Sequence, residues 1–200
     1  TPPEDHILST TPITNNATPT YTRVGDATVE DMDGTHHIVP DGELRWMGAR
    51  RTENLFTYSD FSAGWTTLNG AVLTPNAATA PDGTLTAATL SLPVNAAKIT
   101  QTVASGDGGD YLNSVWVRSD SACDIGVSSG GVALLITVTT EWTKVSTLQT
   151  ISGTVYPEFR SILTYPTVTI ELWHPQLENV TNQSIQTAAD YIPTTSTAVP

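Results

Sequence analysis

Five tryptophans are the residues of this 200-residue chain best suited to contact a ligand. A flat indole ring at an exposed rim can stack on the apolar C–H face of a sugar. Trp65, Trp116 and Trp142 alternate with polar neighbours in strand-like segments, so we expect these three to lie in the core. The sequence leaves Trp46 and Trp173 undetermined, and a rim tryptophan beside Asp and Asn would suit a glycan.

Histidines and aspartates give two weaker indications of metal binding. His36 and His37 are adjacent, and adjacent side chains on a strand point to opposite faces, so a shared zinc site is not expected. Two acidic pairs could offer oxygen ligands to Ca²⁺, although neither matches a known calcium loop: Asp31 with Asp33, and Asp107 with Asp110. We expect no cofactor, and a structural Ca²⁺ stays an open alternative without named ligands.

No residue is marked out as catalytic. A glycosidase needs two carboxyl groups roughly 5–10 Å apart across a cleft, whereas most acidic residues here fall in turns. The sequence has no serine nucleophile elbow, no phosphate-binding glycine loop and no zinc-ligand spacing. We therefore predict that the chain is not an enzyme. His174, beside Trp173, is expected to be a structural hydrogen-bonding residue.

The elements that must position these residues are short strands separated by turns. Turn signals recur, as in Pro81-Asp82-Gly83 and Gly130-Gly131, and no helical periodicity extends over ten residues. This pattern is typical of a sandwich or barrel, and we predict one all-β sandwich over residues 52–193. Its candidate strands are 71–74, 84–91, 97–104, 110–118, 122–128, 132–139, 142–149, 158–164 and 168–177.

Shorter segments flank the predicted sandwich. Residues 1–22 are rich in Pro, Thr and Asn and predict an extended arm, because so few apolar side chains cannot offset an ordering entropy of roughly 1–2 kcal/mol per residue. Residues 23–51 predict a β-ribbon lead-in with a turn at Asp33-Gly34, and residues 194–200 a C-terminal tail. Thr1 is expected to be the natural start after removal of the initiator Met.

Composition excludes several classes of partner. A net charge of −12 opposes binding to nucleic acid or to an anionic membrane surface, both of which need clustered Lys and Arg. Cys123 is the single cysteine, so it cannot form an internal disulfide, and we expect it to be a small residue on a half-buried strand. No apolar run approaches the length of a membrane span.

Several motifs together resemble a lectin-like jelly-roll module of bacteriophage virion proteins, related to carbohydrate-binding domains. The likeness spans residues 52–197. Its motifs are Asn54-Leu55-Phe56, Tyr58-Ser59-Asp60-Phe61-Ser62, Trp65-Thr66, Ala80-Pro81-Asp82-Gly83-Thr84, Ser114-Val115-Trp116-Val117-Arg118-Ser119, Thr140-Glu141-Trp142-Thr143-Lys144-Val145, Gln176-Leu177-Glu178 and Tyr191-Ile192-Pro193-Thr194. The resemblance implies an all-β jelly-roll sandwich and a place in the virion, as in capsid decoration, head-fibre and tail proteins.

On this resemblance we expect a capsid decoration (cement) protein on the capsid surface. The arm would bind the major capsid protein and copies of the chain itself, most simply as a homotrimer. The residues expected to contact these partners are Ile7, Leu8, Ile13, Tyr21, Arg23, Arg45, Arg50 and Arg51. The first four would fill apolar grooves, and the arginines would pair with acidic groups.

Two other functions stay open. The first is a glycan-binding, host-adsorption module of a tail or head fibre. The second is a polysaccharide depolymerase, which is the least favoured because no carboxylate pair is marked out. Binding to a glycan that depends on one exposed tryptophan would distinguish the first of these from capsid decoration.

Overall fold

A computed structural model describes residues 25–40, 50–103, 108–164 and 167–197, and these ranges contain strands and turns without any helix. Consequently none of these residues belongs to a helix long and apolar enough to cross a membrane. The chain divides into two compact units, of which the second runs from Arg50 to Pro200. The predicted arm, residues 1–22, lies outside the described residues, and so does Asp107.

The described part of the first unit is a β-hairpin. Strand β1 (Ala27–Glu30) pairs antiparallel with β2 (His36–Val39). Asp31 Oδ1 accepts 2.9 Å hydrogen bonds from the turn, and Asp31 Oδ2 lies 2.7 Å from His37 Nε2. This bond to His37 is the main reason that the pKa of Asp31 is lowered. The hairpin lies within residues 23–51, the segment predicted as a β-ribbon lead-in.

The second unit is a sandwich of two five-stranded antiparallel sheets. The first sheet has the order β10-β7-β12-β5-β4, and the second has the order β3-β6-β11-β8-β9. The strands are β3 (Thr66–Leu68), β4 (Val72–Ala78), β5 (Ala87–Leu92), β6 (Lys98–Thr100), β7 (Gly109–Ser119), β8 (Cys123–Ser128), β9 (Leu134–Val138), β10 (Thr143–Ile151), β11 (Glu158–Arg160) and β12 (Val168–Asn179).

The sequence pattern located nine of these ten strands. It missed β3, whose Thr-Thr-Leu segment is exposed throughout and shows no alternation. The predicted strand 97–104 shortens to Lys98–Thr100, because the ladder with β11 ends there. The all-β sandwich itself is confirmed.

Alternation directs side chains of the longer strands into the space between the sheets. Val115 and Val117 of β7 meet Ile99 and Phe159 of the second sheet in one apolar cluster, and all four are fully buried. Each such side chain contributes about 1.5–3 kcal/mol on burial. Cys123 is a free, buried member of this cluster. It lies on a strand, β8, as the sequence predicted.

Buried polar side chains fasten the C-terminal segment, residues 180–197, onto the outer face of the first sheet. Gln176 Oε1 accepts a 2.7 Å hydrogen bond from the backbone of Ile192. Glu178 Oε1 accepts one of 3.0 Å from the backbone of Ala189. Both side chains are about 99% buried, each being 1% exposed. These bonds hold an irregular segment in a defined place.

Asn54 joins the same network from the start of the unit and is fully buried. Its Nδ2 donates to the carbonyls of Pro175 and Ile192 at 3.1 and 2.8 Å. Its Oδ1 accepts from the backbone N–H groups of Phe56 and Leu177, each at 3.2 Å. We call this set the polar clasp: Asn54, Gln176 and Glu178.

Candidate functional site

A β-bulge in β12 shapes the outer face of the first sheet. Trp173 pairs with Trp116 of β7, and the next pairing joins Gln176 to Ser114, so β12 uses one extra residue over this step. His174 lies in the bulge with a φ of 52°. An extra residue breaks the strict alternation of faces, which lets two consecutive side chains border the same space.

Trp173, His174 and Tyr191 form a stack of three rings. Trp173 follows the fully buried Leu172, so alternation directs the indole outward. The imidazole of His174 lies 3.3 Å from the Trp173 ring and 3.6 Å from the Tyr191 ring, measured between centroids. Tyr191 is held in place by a 2.7 Å hydrogen bond between its hydroxyl and Ser59 Oγ. Burial raises the pKa of that phenol.

A chain of hydrogen bonds anchors the outer edge of the indole. Asp82 Oδ1 accepts from the backbone and hydroxyl of Thr84, at 2.9 and 2.7 Å. The hydroxyls of Thr84 and Thr86 lie 2.7 Å apart, and Trp173 Nε1 donates to Thr86 Oγ1 at 3.1 Å. The bonds from Thr84 are the main cause that lowers the pKa of the Asp82 carboxyl.

These groups border an open cleft of about 410 Å³. Asn76, at a second bulge in β4, and Asp60, whose Oδ1 accepts from Ser62 at 3.0 and 2.7 Å, complete its polar side. Its polar lining residues are Ser59, Asp60, Asn76, Asp82, Thr84 and Thr86. Its ring-bearing lining residues are Phe61, Trp173, His174, Tyr191 and Pro193. We call this space the aromatic cleft.

The aromatic cleft is negatively charged at neutral pH. Among its lining residues in the described ranges there is no Lys or Arg, and two carboxylates, Asp60 and Asp82, are present. Burial lowers the pKa of His174 to about 4, with Asp82 opposing and Lys144 adding to the shift. The imidazole is therefore neutral at pH 7, and the cleft combines aromatic rings with hydrogen-bond acceptors.

The three tryptophans predicted to lie in the core have different environments in the structure. Trp65 packs against the main apolar core, with its ring 4.9 Å from that of Phe56, which confirms its predicted role. The prediction is wrong for Trp116 and Trp142, which are half-buried on the outer face of the first sheet. The reason is the alternation of side chains along β7. Val115 and Val117 occupy its inward positions, so Trp116 between them must point outward.

Trp173, whose position in the core or at a rim the sequence left open, borders the aromatic cleft beside Asp and Asn side chains. Trp46 lies outside the described residues. His174 was expected to form hydrogen bonds, but in the described part of the chain its ring contacts are stacking contacts. The roles of Tyr191 and Asn76 were missed, since Tyr191 enters by a tertiary contact and Asn76 by a bulge that has no sequence signature.

Arg50 and Arg51 are the arginines of the predicted partner-binding set that lie in the described residues, and both form ion pairs within the chain. Arg50 donates to the carbonyl of Thr187 at 2.6 Å and lies 3.5 Å from Glu178 of the polar clasp, with its side chain 16% exposed. Arg51 pairs with Glu53 at 2.9 Å and is 43% exposed. Partner binding by both stays a prediction. The remaining residues of that set lie outside the described residues: Ile7, Leu8, Ile13, Tyr21, Arg23 and Arg45.

The residues considered as metal ligands are not clustered. Within the described ranges no group of three or more His, Cys, Asp or Glu side chains is placed to hold a metal ion. Asp110 Oδ1 accepts from Thr150 Oγ1 at 2.6 Å, and Asp31 binds its own turn. His36 is exposed and His37 half-buried, as expected of neighbours on opposite faces of a strand.

The sequence matches no protein-family model and no curated protein. The fold resembles the xylan-binding CBM22-1 domain of Xyn10C from Paenibacillus barcinonensis, with a TM-score of 0.52 at 15% identity, over 66% of this chain and 98% of that domain. At this identity the likeness shows the fold alone, a jelly-roll β-sandwich.

Two further structures are more distant. The second N-terminal cellulose-binding domain of β-1,4-glucanase C from Cellulomonas fimi has a TM-score of 0.43 at 13% identity, over 65% of this chain and 96% of that one. The family 11 carbohydrate-binding module of Lic26A-Cel5E from Clostridium thermocellum has a TM-score of 0.43 at 10% identity, over 66% and 96%. Neither carries an argument, and none of the three bears on the predicted bacteriophage origin.

Proposed function

We propose that this chain is a glycan-binding module that holds a neutral sugar in the aromatic cleft. The observation that carries the proposal is the stacked Trp173–His174–Tyr191 wall, which stands opposite carboxylate, amide and hydroxyl groups within one open cleft. Binding sites for small ligands combine aromatic surface with a few polar groups that fix orientation. Sugars present both kinds of surface, apolar C–H faces and hydroxyl rims.

The charge of the cleft defines the class of sugar. Asp60 and Asp82 each use one carboxylate oxygen, Oδ1, within their own turn, and the described residues leave Oδ2 of each for a ligand. Hydrogen bonds to a charged group are worth about 1.5–3 kcal/mol each, so sugar hydroxyls that donate to these oxygens would be bound well. A uronate or sulfate group would be repelled, since the cleft lining offers no cation.

Binding is favoured over catalysis by the state of the Asp82 carboxylate. A glycosidase acid must keep its proton near neutral pH, which requires a raised pKa. Hydrogen bonds from Thr84 instead lower the pKa of Asp82. The fold is compatible with a binding role, since the similar CBM22-1 domain from Paenibacillus barcinonensis is described as xylan-binding. The depolymerase alternative would require loss of viscosity when the chain meets a polysaccharide.

Capsid decoration and a place in the virion stay predictions. The arm residues that would carry them lie outside the described residues, and nothing in the sandwich requires a capsid partner or a trimer. A glycan-binding module on a tail or head fibre, which would adsorb to a host, remains compatible with the motif resemblance. Labelling of particles and electron microscopy would test that location.

Affinity electrophoresis in gels containing soluble neutral polysaccharides tests the proposed function. We expect retardation of the full chain by at least one neutral polysaccharide, and at least a tenfold loss of affinity for Trp173→Ala. Trp142→Ala is the matched control, because Trp142 is half-buried on the same sheet and does not line the cleft. No retardation across xylan, glucan and mannan gels, or equal losses in both variants, would contradict the proposal.

A further inference from the structure

A second groove of about 400 Å³ lies on the outer face of the second sheet, opposite the sheet that bears the aromatic cleft. Ile99 of β6 and Phe159 of β11 are fully buried between the sheets. Alternation therefore directs their neighbours outward, and Lys98, Thr100 and Glu158 line the groove. We call this space the sheet groove.

Polar groups cross the sheet groove in register. Thr66 of β3 pairs with Thr100 of β6, and Thr100 pairs with Glu158 of β11, so these three side chains form one row. Adjacent strands lie about 4.8 Å apart, so the row spans roughly 10 Å, about the length of two sugar residues. An elongated chain lying across the strands would meet successive polar groups.

The cations of this face are more exposed than its carboxylate. Glu158 forms ion pairs with Lys98 and with Arg160, the latter at 3.6 Å. The Glu158 side chain is 16% exposed, whereas those of Lys98 and Arg160 are 23% and 32% exposed. One carboxylate thus holds two cations, which leaves one net positive charge at the surface of a chain whose net charge is −12.

At the end of the sheet groove formed by Gly130 and Gly131, a ligand can approach the backbone closely. Gly130 and Gly131 line it, and a Cβ atom on Gly130 would come within 2.9 Å of the Tyr156 backbone nitrogen. The φ of Gly130, 142°, is also one that L side chains rarely adopt. Tyr156 borders the same end and is 45% exposed, so its ring is available for stacking on a ligand.

We propose that the sheet groove binds an acidic polysaccharide through the carboxylate of a uronate residue. Lys98, which lines the groove, and Arg160, which pairs with Lys98 in the β6–β11 ladder beside it, are the cations that would pair with this carboxylate. Tyr156 would stack on the adjoining sugar. This site goes beyond the proposed function, because its ligand is of the class that the aromatic cleft repels. The two sites lie on opposite faces of the sandwich, so occupation of one does not block the other.

Isothermal titration of the full chain with an oligogalacturonate tests this inference. At about 0.15 M salt the Debye length is about 8 Å, so the repulsion from distant carboxylates is largely screened and the local cations dominate. We expect binding by the wild type, at least a tenfold weaker affinity for Lys98→Gln, and a similar loss for Tyr156→Ala. Tyr156 is exposed, so its variant separates loss of binding from loss of fold.

Arg118→Gln is the matched control, since Arg118 is also an ion-paired cation, with Glu171 at 2.5 Å, but lies on the first sheet. It should bind oligogalacturonate like the wild type, and so should Trp173→Ala. Absence of binding, or equal losses for Lys98→Gln and Arg118→Gln, would overturn the inference. Equally tight binding of a sulfated oligosaccharide would overturn the assignment to a carboxylate. Because Lys98→Gln and Tyr156→Ala leave the aromatic cleft intact, failure here leaves neutral-sugar binding untouched.

Discussion

At the scale of single residues, His174 works in the aromatic cleft as a flat, neutral ring. Both of its faces are in contact, one with Trp173 and the other with Tyr191. Burial lowers its pKa to about 4, so its proton is bound far more readily by the unfolded chain, where a histidine titrates near 6.5. Folding is therefore coupled to pH through this ring.

The sign of that coupling gives a test. Between pH 6.5 and about 4 the unfolded state binds more protons at this histidine, so stability falls as the pH falls through this window. We expect the thermal midpoint of the wild type to decrease more than that of His174→Asn between pH 7 and pH 4. A difference between the two midpoints that stays constant with pH would contradict the role of burial.

Asn54 shows how much one buried amide can hold together. All four of its hydrogen bonds go to backbone groups, two of them in β12, one at Phe56 and one at Ile192 of the C-terminal segment. Its removal leaves buried donors and acceptors without partners, at about 1–3 kcal/mol for each unsatisfied group.

We expect Asn54→Ala to lower the free energy of unfolding by about 2–4 kcal/mol in urea titrations, since partial relaxation will satisfy some of the freed groups. Thr137→Ala is the control, because it removes a 2.7 Å hydrogen bond to Asp124 that is exposed. Its effect should stay within about 0.5 kcal/mol. Equal effects of both variants would contradict the importance of the polar clasp.

At the scale of elements, two bulges on the strands flanking β5 form the aromatic cleft. β12 carries His174 at its bulge and β4 carries Asn76 at its own, with φ values of 52° for both. Asn tolerates this left-handed region well, and a β-branched residue does not. The bulges thus place side chains at the cleft that regular alternation would send elsewhere.

This backbone requirement can be tested apart from the ring. We expect His174→Val to be less stable than His174→Asn by about 1–3 kcal/mol, because a β-branched side chain is strained at a positive φ. Both variants lack the stacked imidazole, so their difference in urea unfolding reports the backbone alone. Equal stabilities would show that the bulge relaxes to a regular strand.

At the scale of the whole molecule, residues 50–200 carry every member of the main apolar core and both proposed sites. This range is also one compact unit by its own contacts. A sandwich of about 150 residues is large enough to fold by itself. Stability and sugar binding should therefore be properties of this unit.

We expect a fragment of residues 50–200 to unfold cooperatively and to bind neutral polysaccharide with an affinity within about threefold of the full chain, a difference of only about 0.65 kcal/mol. Circular dichroism during heating and affinity electrophoresis would measure the two properties. A fragment that fails to fold would show that the first unit contributes to the sandwich.

Much of the fold was determined locally along the sequence. Alternation of apolar and polar residues, as in Val168-Thr169-Ile170-Glu171-Leu172, has the period of a strand, and Asp-Gly pairs favour turns, so strands and turns were predictable. The same local signals do not state which of two faces is the inner one. For this reason Trp116 and Trp142 were assigned to the core although they lie outside it.

The aromatic cleft was decided by tertiary structure. Trp173 and Tyr191 are separated by the segment that the polar clasp folds back. Tyr191 reaches the ring stack because Gln176 and Asn54 bind the backbone of Ile192 and Ser59 binds the tyrosine hydroxyl. Asp82 and Asn76 reach the same space through the pairing of β4 and β5 and through a bulge. A sequence determines the local preferences of each strand, whereas a site built across several strands depends on register, and register is set by long-range packing.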